Sequence, residues 1–232
     1  MYQNSSIEII YGTGNKAKVE AMKKIIREHD FNVSIQTLKD INFNEEIIED
    51  GKTFEENSEI KARVIQKFCE KNNIKNKIII TDDAGLCIDK LNGEPGVYTA
   101  RYAGENPTQI ENITKVLENM KQYTNPEDRS CTFVCVLTAI IMESNEKIVA
   151  RGECKGSIAM TPGRLGGLTY EPIFIPEGFS EPMSEMPEEK YEAVHNHRDI
   201  AMKKIMQELK KRQKLHYYKI WKKSTIKIYR IS

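Results

Sequence analysis

The sequence contains no apolar run long enough to cross a bilayer, and it has almost no excess of either charge. A transmembrane helix needs about 20 consecutive apolar residues, whereas this chain is 30% charged with a formal net charge of +1. Proteins that coat nucleic acid carry a strong positive excess. We therefore expect neither a membrane-spanning protein nor a chain that binds nucleic acid over its whole surface.

Cysteine is scarce, and its spacing fits neither a disulfide framework nor a zinc site. The five cysteines lie in apolar surroundings without a CxxC pair or a nearby histidine: Cys69, Cys87, Cys131, Cys135 and Cys154. An odd, scattered set predicts reduced thiols in the core. The first ten residues, MYQNSSIEII, lack the basic region and apolar core of a secretory signal. We expect a cytosolic protein.

What the chain does contain is a series of short β-rich runs and helical apolar stripes. Its 232 residues are 39% hydrophobic, enough for one sizeable domain with a core. The predicted strands are Ile7 to Tyr11, Phe31 to Leu38, the run from Ile78, a hairpin of Cys131 to Met142 with Lys147 to Cys154, and Ile173 to Pro176. The predicted helices are those from Lys16, from Phe54 to about Lys71, from Asn106 to Tyr123, and from His195 to Leu209.

Two adjacent carboxylates mark the central stretch. The apolar run from Ile78 to Thr81 predicts a buried strand, with Asp82 and Asp83 at its end and a loop after them. Such loops are where open α/β sheets place ligands. Because side chains alternate along a strand, the two acids should point in different directions. Alone, the two acids favour a solvated acidic turn; together with Arg101 after a tight glycine turn they suit a metal–phosphate site.

A glycine loop follows the first strand. Thr13, Gly14 and Asn15 precede a predicted helix whose apolar stripe is Val19, Met22, Ile25 and Ile26. Backbone N–H groups at a helix N-terminus bind phosphate, and Lys18 in the first turn can reach it as a point charge. The loop lacks the GxxxxGK[ST] pattern. An ordinary strand–helix connection explains it as well as a phosphate site does.

The helix predicted from Phe54 begins with a capping box of Thr53 and Glu56. Its apolar face carries Ile60, Val64, Ile65 and Phe68. Asn57 and Lys61 lie one turn apart and share a different face. That face either lines the phosphate site or is a solvated polar stripe.

Two segments nearer the C-terminus could also bind a ligand. A glycine-rich loop from Pro162 to Pro172 leads into an apolar strand, an arrangement typical of binding loops. His197 and Arg198 stand at the start of the last helix, where they could meet a nucleotide base or phosphate. A merely polar first turn is the alternative.

The composition changes from Lys210 onward, where the chain becomes basic with interleaved aromatic residues. Such a segment could bind RNA or a membrane surface. It could equally extend the helix and add a strand in which Ile226, Ile228 and Ile231 alternate. We expect a structural or accessory extension at 212–232, after a main domain at 1–211.

These segments resemble, in order, the motifs of the inosine triphosphate pyrophosphatases. The matching motifs are TGNxxK, ExGxTFxxNxxxKA, DDxGL, GxPGxYxAR, GGxxYxPIF and HR, spread over about Ile7 to Leu209. The resemblance implies an α/β fold with an elongated mixed central sheet flanked by helices, and two lobes with a nucleotide cleft between them. It also implies a homodimer and dependence on Mg²⁺.

The resemblance implies a role for each matching residue. Thr13, Gly14, Asn15 and Lys18 match the triphosphate loop, and Asn57 and Lys61 match the helix that lines the phosphates; Ala84 and Arg101 also fall at substrate-binding positions. Glu49 and Asp83 match the carboxylates that hold the metal, with Asp83 as general base. His197 and Arg198 match the pair that contacts base and phosphate, while Leu168, Thr169, Tyr170 and Glu171 match the base pocket.

The departures from the family pattern cluster at the base. Leu168 replaces an aromatic residue that would stack on the base, Thr169 replaces a glycine, and Glu171 replaces an aspartate. Ala84 replaces a serine after the acid pair. Glu192 falls at the place of the family's lysine, so Lys190 needs a small insertion to serve there.

The expected activity is hydrolysis of deaminated purine nucleoside triphosphates (ITP, dITP and XTP) to the monophosphate and pyrophosphate. Because the metal-binding residues match the family better than the base pocket does, a pyrophosphatase acting on a pyrimidine or modified nucleotide is one alternative. A nucleotide- or RNA-binding protein without turnover, using the basic tail, is another.

Overall fold

The computed structural model describes residues 7–28, 32–167, 170–194 and 196–228. One six-stranded sheet forms its centre. The strands are β1 (Ile7–Tyr11), β2 (Val33–Thr37), β3 (Ile78–Ile88), β4 (Ser130–Ile141), β5 (Glu146–Ile158) and β6 (Phe174–Pro176). The helices are α1 (Lys16–Glu28), α2 (Phe54–Lys71), α3 (Gln109–Asn119), α4 (Glu188–Ala193) and α5 (His197–Ile228).

The sheet is mixed, in the order β2-β1-β3-β4-β5-β6. β1 is parallel to both its neighbours, and every pair from β3 to β6 is antiparallel. The expected mixed sheet flanked by helices is confirmed, and the two-lobed arrangement stays a prediction.

Helices cover both faces of the sheet. α1 and α5 pack on one face, where Tyr11 and Ile80 join their apolar side chains, and α2 packs on the other with Ile10 and Ile79. This alternation along β1 and β3 follows from the two-residue period of a strand. The predicted apolar stripe of α1 is confirmed, since Val19, Met22, Ile25 and Ile26 are all buried.

α2 begins where the sequence predicts. Thr53 and Glu56 form the expected capping box at its N-terminus. Ile65 and Phe68 are buried, whereas Ile60 and Val64 are only half-buried. The buried face is therefore shifted, and it includes Asn57 and Lys61.

The prediction that the strand ends at the acid pair is wrong. β3 continues to Ile88 and carries the two acids in its middle, because β4 pairs with it throughout and places Leu137 opposite Asp82. Gly85 lets the turn at 96–101 pack closely against the strand, since a Cβ there would lie 2.4 Å from the carbonyl oxygen of Gly96. The prediction that the two acids point in different directions is confirmed by their separate contacts.

Other element boundaries differ by a few residues from those expected. The β4–β5 hairpin is confirmed. It begins at Ser130 rather than Cys131 and ends at Ile158 rather than Cys154. α3 begins at Gln109 because Thr108 caps it, and Ile173 lies in a short 3₁₀ turn before β6. α5 begins at His197; Phe31 and His195 lie outside the described residues.

α5 extends through Ile228. The helix extension considered for the tail is therefore present, whereas the added strand also considered there is absent at Ile226 and Ile228; Ile231 lies outside the described residues. Among the helices that the structure describes, none is both long and apolar enough to span a membrane. All five cysteines have free thiols, and only Cys87 is not fully buried.

Candidate active site

Asp82 and Asp83 face opposite sides of the sheet from the middle of β3. Asp82 points to the face covered by α1 and α5, and Asp83 points to the face covered by α2. A paired central strand holds both carboxylates more rigidly than a loop would. Two clusters of charge are built around them.

The first cluster surrounds Asp82, which is 2% exposed. Lys18 Nζ donates to its Oδ2 at 2.6 Å, and the Tyr11 hydroxyl donates to its Oδ1 at 3.2 Å. Arg198 Nη2 lies 3.7 Å from Oδ2. Burial raises the pKa of Asp82, but Lys18 and Arg198 outweigh it, so the pKa lies well below its usual value. Asp82 is therefore a fixed anion that holds two cations together.

The second cluster joins Asp83 to Glu49 through a lysine. Lys61 Nζ lies 2.7 Å from Glu49 Oε2 and 3.4 Å from Asp83 Oδ1. Burial raises the pKa of Asp83 above its usual value, although Lys61 and Asn57 oppose the shift. Burial lowers the pKa of Lys61, but Asp83 and Glu49 more than offset it, and the pKa is raised. Two acids that are distant along the chain thus converge on one point.

The loop that carries Glu49 is held from two directions. Asn57 Oδ1 on α2 accepts the Gly51 backbone N–H at 2.8 Å. A Cβ at Gly51 would lie 2.7 Å from that oxygen, so the close approach requires glycine. Arg101 Nη2 donates to the Glu49 carbonyl at 3.2 Å. Asn57 and Arg101 therefore hold the backbone of this loop, and the held backbone positions the Glu49 side chain.

The donor set beside Lys61 fits a hard divalent cation. Asp83 Oδ2 is buried without a hydrogen-bond partner among the described residues, which leaves an anionic oxygen available to a cation. No group of three or more His, Cys, Asp and Glu side chains with metal-binding geometry occurs in the described ranges. Mg²⁺ needs no more than one or two carboxylates when phosphate oxygens and water complete its shell. Glu49 and Asp83 meet that requirement.

The glycine loop lies at the N-terminus of α1. The Gly12 N–H donates to the Ile80 carbonyl at 2.7 Å, which binds the loop to β3. A Cβ at Gly12 would lie 2.4 Å from Ile65 Cδ1. Thr13 Oγ1 accepts the Asn15 N–H at 3.2 Å, and Gly14 is exposed. Lys18, in the first turn after the loop, thus reaches the Asp82 side of β3, while Gly12 packs against α2 on the other side.

His197 and Arg198 stand at the start of α5 and are both 8% exposed. The Asn196 side chain accepts the Arg198 N–H at 2.9 Å and so caps the helix. The His197 ring stacks on Phe133 with 5.0 Å between centroids. Burial, and then the Arg198 charge, lower the pKa of His197 well below its usual value. His197 is therefore neutral, and Arg198 supplies the charge.

Hydrogen bonds anchor the glycine-rich loop at Gly166 and at Tyr170. The Gln109 side chain donates to the Gly166 carbonyl at 2.9 Å and accepts its N–H at 2.8 Å. The buried Tyr170 donates to the Thr99 carbonyl at 3.1 Å. Glu171 is 6% exposed and accepts the Tyr191 hydroxyl at 2.8 Å. Leu168 and Thr169 lie outside the described residues.

Some of the remaining candidate residues lie outside the clusters around Asp82 and Asp83. Ala84 is half-buried on the Asp82 face of β3. Lys190 points to the surface, where its Nζ pairs with Glu181 Oε1 at 2.6 Å. Glu192 pairs with Lys24 at 2.5 Å. Tyr191, which lies between these two residues on α4, instead donates its hydroxyl to Glu171.

Sequence reasoning missed three residues of the site: Asp82 as an organiser, Tyr11 and Tyr191. Strand alternation could have assigned Asp82 and Tyr11, because both fall on the same face as Ile80 and Ile9. No signal along the chain indicates that Tyr191 reaches Glu171, because that contact exists only in the folded chain.

Comparison with known proteins places this geometry among related chains. A sequence model of the Ham1 family matches residues 9–208. The chain is 37% identical over 203 residues to the dITP/XTP pyrophosphatase of Clostridium perfringens, covering 88% of this chain and 97% of the relative. It is 39% identical over 198 residues to the dITP/XTP pyrophosphatase of Bacillus subtilis, covering 85% and 94%.

Solved structures give the same result. A HAM1 protein from Coxiella burnetii has a TM-score of 0.76 at 31% identity, covering 88% of this chain and 99% of that one. The Staphylococcus aureus Ham1 protein has a TM-score of 0.75 at 31% identity, with the same coverage.

Proposed function

Because this chain belongs to the Ham1 family, we propose that it hydrolyses deaminated purine nucleoside triphosphates, releasing the monophosphate and pyrophosphate. The observation that carries the proposal is the convergence of Glu49 and Asp83 on Lys61 Nζ, at 2.7 and 3.4 Å. The relatives named dITP/XTP pyrophosphatase support ITP, dITP and XTP as substrates.

The cations of the site suit a polyphosphate. A nucleoside triphosphate carries about four negative charges near neutral pH, which must be offset when it leaves water. Lys18 and Arg198 supply positive charge on the Asp82 side of β3, and Lys61 supplies it on the Asp83 side, still within electrostatic reach of Asp82. Glu49 and Asp83 would hold Mg²⁺, which when bound would polarise the phosphate oxygens and water. The exposed glycine loop at α1 adds backbone N–H groups.

Asp83 is the candidate general base. A base must carry a pKa closer to neutral than an ordinary carboxylate does, and burial raises that of Asp83. One carboxylate oxygen of Asp83 would accept the proton of the attacking water while the other faces the cation; Oδ2 has no hydrogen-bond partner among the described residues. The water oxygen bonds to the phosphorus nearest the ribose, the bond from that phosphorus to the bridging oxygen breaks, and pyrophosphate leaves.

Asp82 contributes to the reaction only through the two side chains that it holds. It pairs with Lys18 and lies beside Arg198, so it fixes two phosphate-binding cations without using its own proton. The homodimer is a part of the proposal that rests on the resemblance alone. The cytosolic location rests on the scattered cysteines and the N-terminal sequence, and the division into a catalytic domain at 1–211 and an extension at 212–232 rests on the change in composition from Lys210.

A substrate panel tests the proposal. Pyrophosphate release is measured from ITP, dITP, XTP, GTP, UTP and dTTP, each with Mg²⁺ and with chelator. We expect turnover of the first three with Mg²⁺ only. A preference for UTP or dTTP would instead favour the pyrimidine alternative, and tight nucleotide binding without product would favour a protein that has lost turnover.

The role of Asp83 is tested by Asp83→Asn, which keeps size but removes the base. We expect kcat for ITP to fall at least about 100-fold. Asp128→Asn is the matched control, because Asp128 also pairs with a lysine, at 3.0 Å, but on the surface. Near-normal turnover of Asp83→Asn would refute the role.

A further inference from the structure

The short helix α4 carries Tyr191, whose side chain reaches the buried Glu171. Its hydroxyl donates to Glu171 Oε1 at 2.8 Å. The preceding residue, Lys190, points away and pairs with Glu181. Tyr191 keeps 36% of its surface exposed, so a ligand can reach it. Neither the matching motifs nor the departures noted in the sequence include this residue.

Tyr191 lies on the helix that joins two parts of the site. α4 is tied to α1, the helix that follows the glycine loop, by the Glu192–Lys24 pair. It directly precedes α5, which carries Arg198 in its first turn. Through Tyr191, α4 also reaches Glu171 of the glycine-rich loop. A nucleotide whose phosphates lie at the N-terminus of α1 would then have its base toward Tyr191 and Glu171.

The hydrogen-bonding polarity of the Tyr191 hydroxyl is fixed. A phenol has one proton and can both donate and accept. A carboxylate only accepts, so the proton of Tyr191 is committed to Glu171. Burial, and then Glu171, raise the pKa of Tyr191, which keeps the hydroxyl protonated. The remaining lone pair of the hydroxyl oxygen can therefore only accept a hydrogen bond from a ligand.

We propose that Tyr191 is a specificity-determining residue that accepts a hydrogen bond from the protonated N1 of a 6-keto purine. Hypoxanthine and xanthine carry a hydrogen on N1, whereas N1 of adenine is itself an acceptor. An acceptor-only group rejects a base that presents no donor, because two acceptors would then face each other. The inference rests on the proposed function for the identity of the substrate class.

The test compares Tyr191→Phe with the wild-type chain in binding. The ligands are the α,β-methylene analogues of ITP and of N1-methyl-ITP, which differ by the N1 hydrogen, and affinity is measured by calorimetry with Mg²⁺. We expect Tyr191→Phe to bind the ITP analogue about five- to tenfold more weakly and the N1-methyl analogue no more weakly than the wild type does.

Tyr102→Phe is the matched control. The Tyr102 hydroxyl donates to Glu94 Oε2 at 2.9 Å, so the substitution removes the same kind of bond elsewhere in the chain. It should leave the affinity for both analogues unchanged. Melting temperatures of both variants show that each folds.

The inference would be overturned if Tyr191→Phe discriminated between the two analogues as the wild type does. That holds whether the variant binds both with unchanged affinity or loses affinity equally for both. Pyrophosphate release by the wild type is scored separately. Absence of turnover would refute the proposed function, while the binding comparison would still decide the role of Tyr191.

Discussion

At the scale of single residues, the neighbours Asp82 and Asp83 have pKa shifts in opposite directions. Both are buried, which raises the pKa of a carboxyl group. Lys18 and Arg198 reverse that effect at Asp82, whereas Lys61 offsets it only in part at Asp83. One strand thus supplies a permanent anion and a candidate base, and strand alternation keeps the two apart.

Asp82→Asn should impair both folding and turnover. The amide cannot neutralise Lys18 and Arg198, and an unpaired buried charge costs about 3–5 kcal/mol. We expect the free energy of unfolding to fall by about 3 kcal/mol and kcat/KM for ITP to fall at least about 100-fold. Urea unfolding and steady-state kinetics measure the two effects. Retained kcat/KM in a folded variant would show that Asp82 does not position the cations.

Arg129 has no acidic partner among the described residues, and backbone carbonyls bind it instead. The residue is 4% exposed, and its guanidinium donates to the carbonyls of Met120, Tyr123, Ile158 and Ala159. Arg129→Met would leave these acceptors unpaired, so we expect the free energy of unfolding to fall by about 3 kcal/mol or more. Arg164→Met is the control, since that side chain is 71% exposed and should change it by about 1 kcal/mol or less. Equal effects in urea unfolding would contradict this account.

At the scale of elements, apolar periodicity was enough to locate most helices and strands. The stripe of α1 and the cap of α2 are local features, and both follow from residues within one or two turns. The course of β3 is not local. Its apolar run ends at Thr81, and the pairing that continues through Asp83 comes from Val136 on a strand far along the chain. Periodicity along a single segment cannot show such a partner.

The strands also bury thiols whose ionisation should make stability depend on pH. Burial, and then Asp82, raise the pKa of Cys135 in β4 to about 12. The pKa of a cysteine thiol in the unfolded chain is about 8.5. The folded state therefore holds a proton that the unfolded state loses above that pH. We expect full stability below about pH 8, then a decrease of up to about 1.4 kcal/mol per pH unit for each such thiol.

Urea unfolding at pH 7.5, 8.5 and 9.5 measures this decrease. Cys135→Ala should unfold more easily at pH 7.5 because it leaves a cavity, but its stability should fall less steeply with pH. The same steepness in both proteins would mean that Cys135 does not contribute.

At the scale of the whole molecule, the site is assembled from segments that meet only in the fold. The sequence alone supplied plausible phosphate-binding and acidic residues, and the resemblance supplied their roles. Neither the sequence nor the resemblance could show that Lys61 lies between Glu49 and Asp83. Nor could they show that α4 directs Tyr191, rather than Lys190, toward Glu171. Both facts depend on how helices dock against the sheet.

The C-terminal extension should be dispensable for the proposed reaction. The family match ends at residue 208, and the core cluster under α5 ends at Leu209. Arg212 still pairs with Glu146 at 2.7 Å, so the deletion should begin after it. We expect a chain that lacks residues 213–232 to keep its kcat/KM for ITP within about twofold. A much larger loss would assign the extension to the site.

The central claim is that Glu49 and Asp83 hold one divalent cation beside the bound polyphosphate. Its most direct test is electron paramagnetic resonance of Mn²⁺, a hard cation that stands in for Mg²⁺, titrated into the protein with the α,β-methylene analogue of ITP. We predict one tight Mn²⁺ in the wild type and in Asp128→Asn, and at least about tenfold weaker binding in Glu49→Gln and in Asp83→Asn. Unchanged Mn²⁺ affinity in both of the latter variants would contradict the claim.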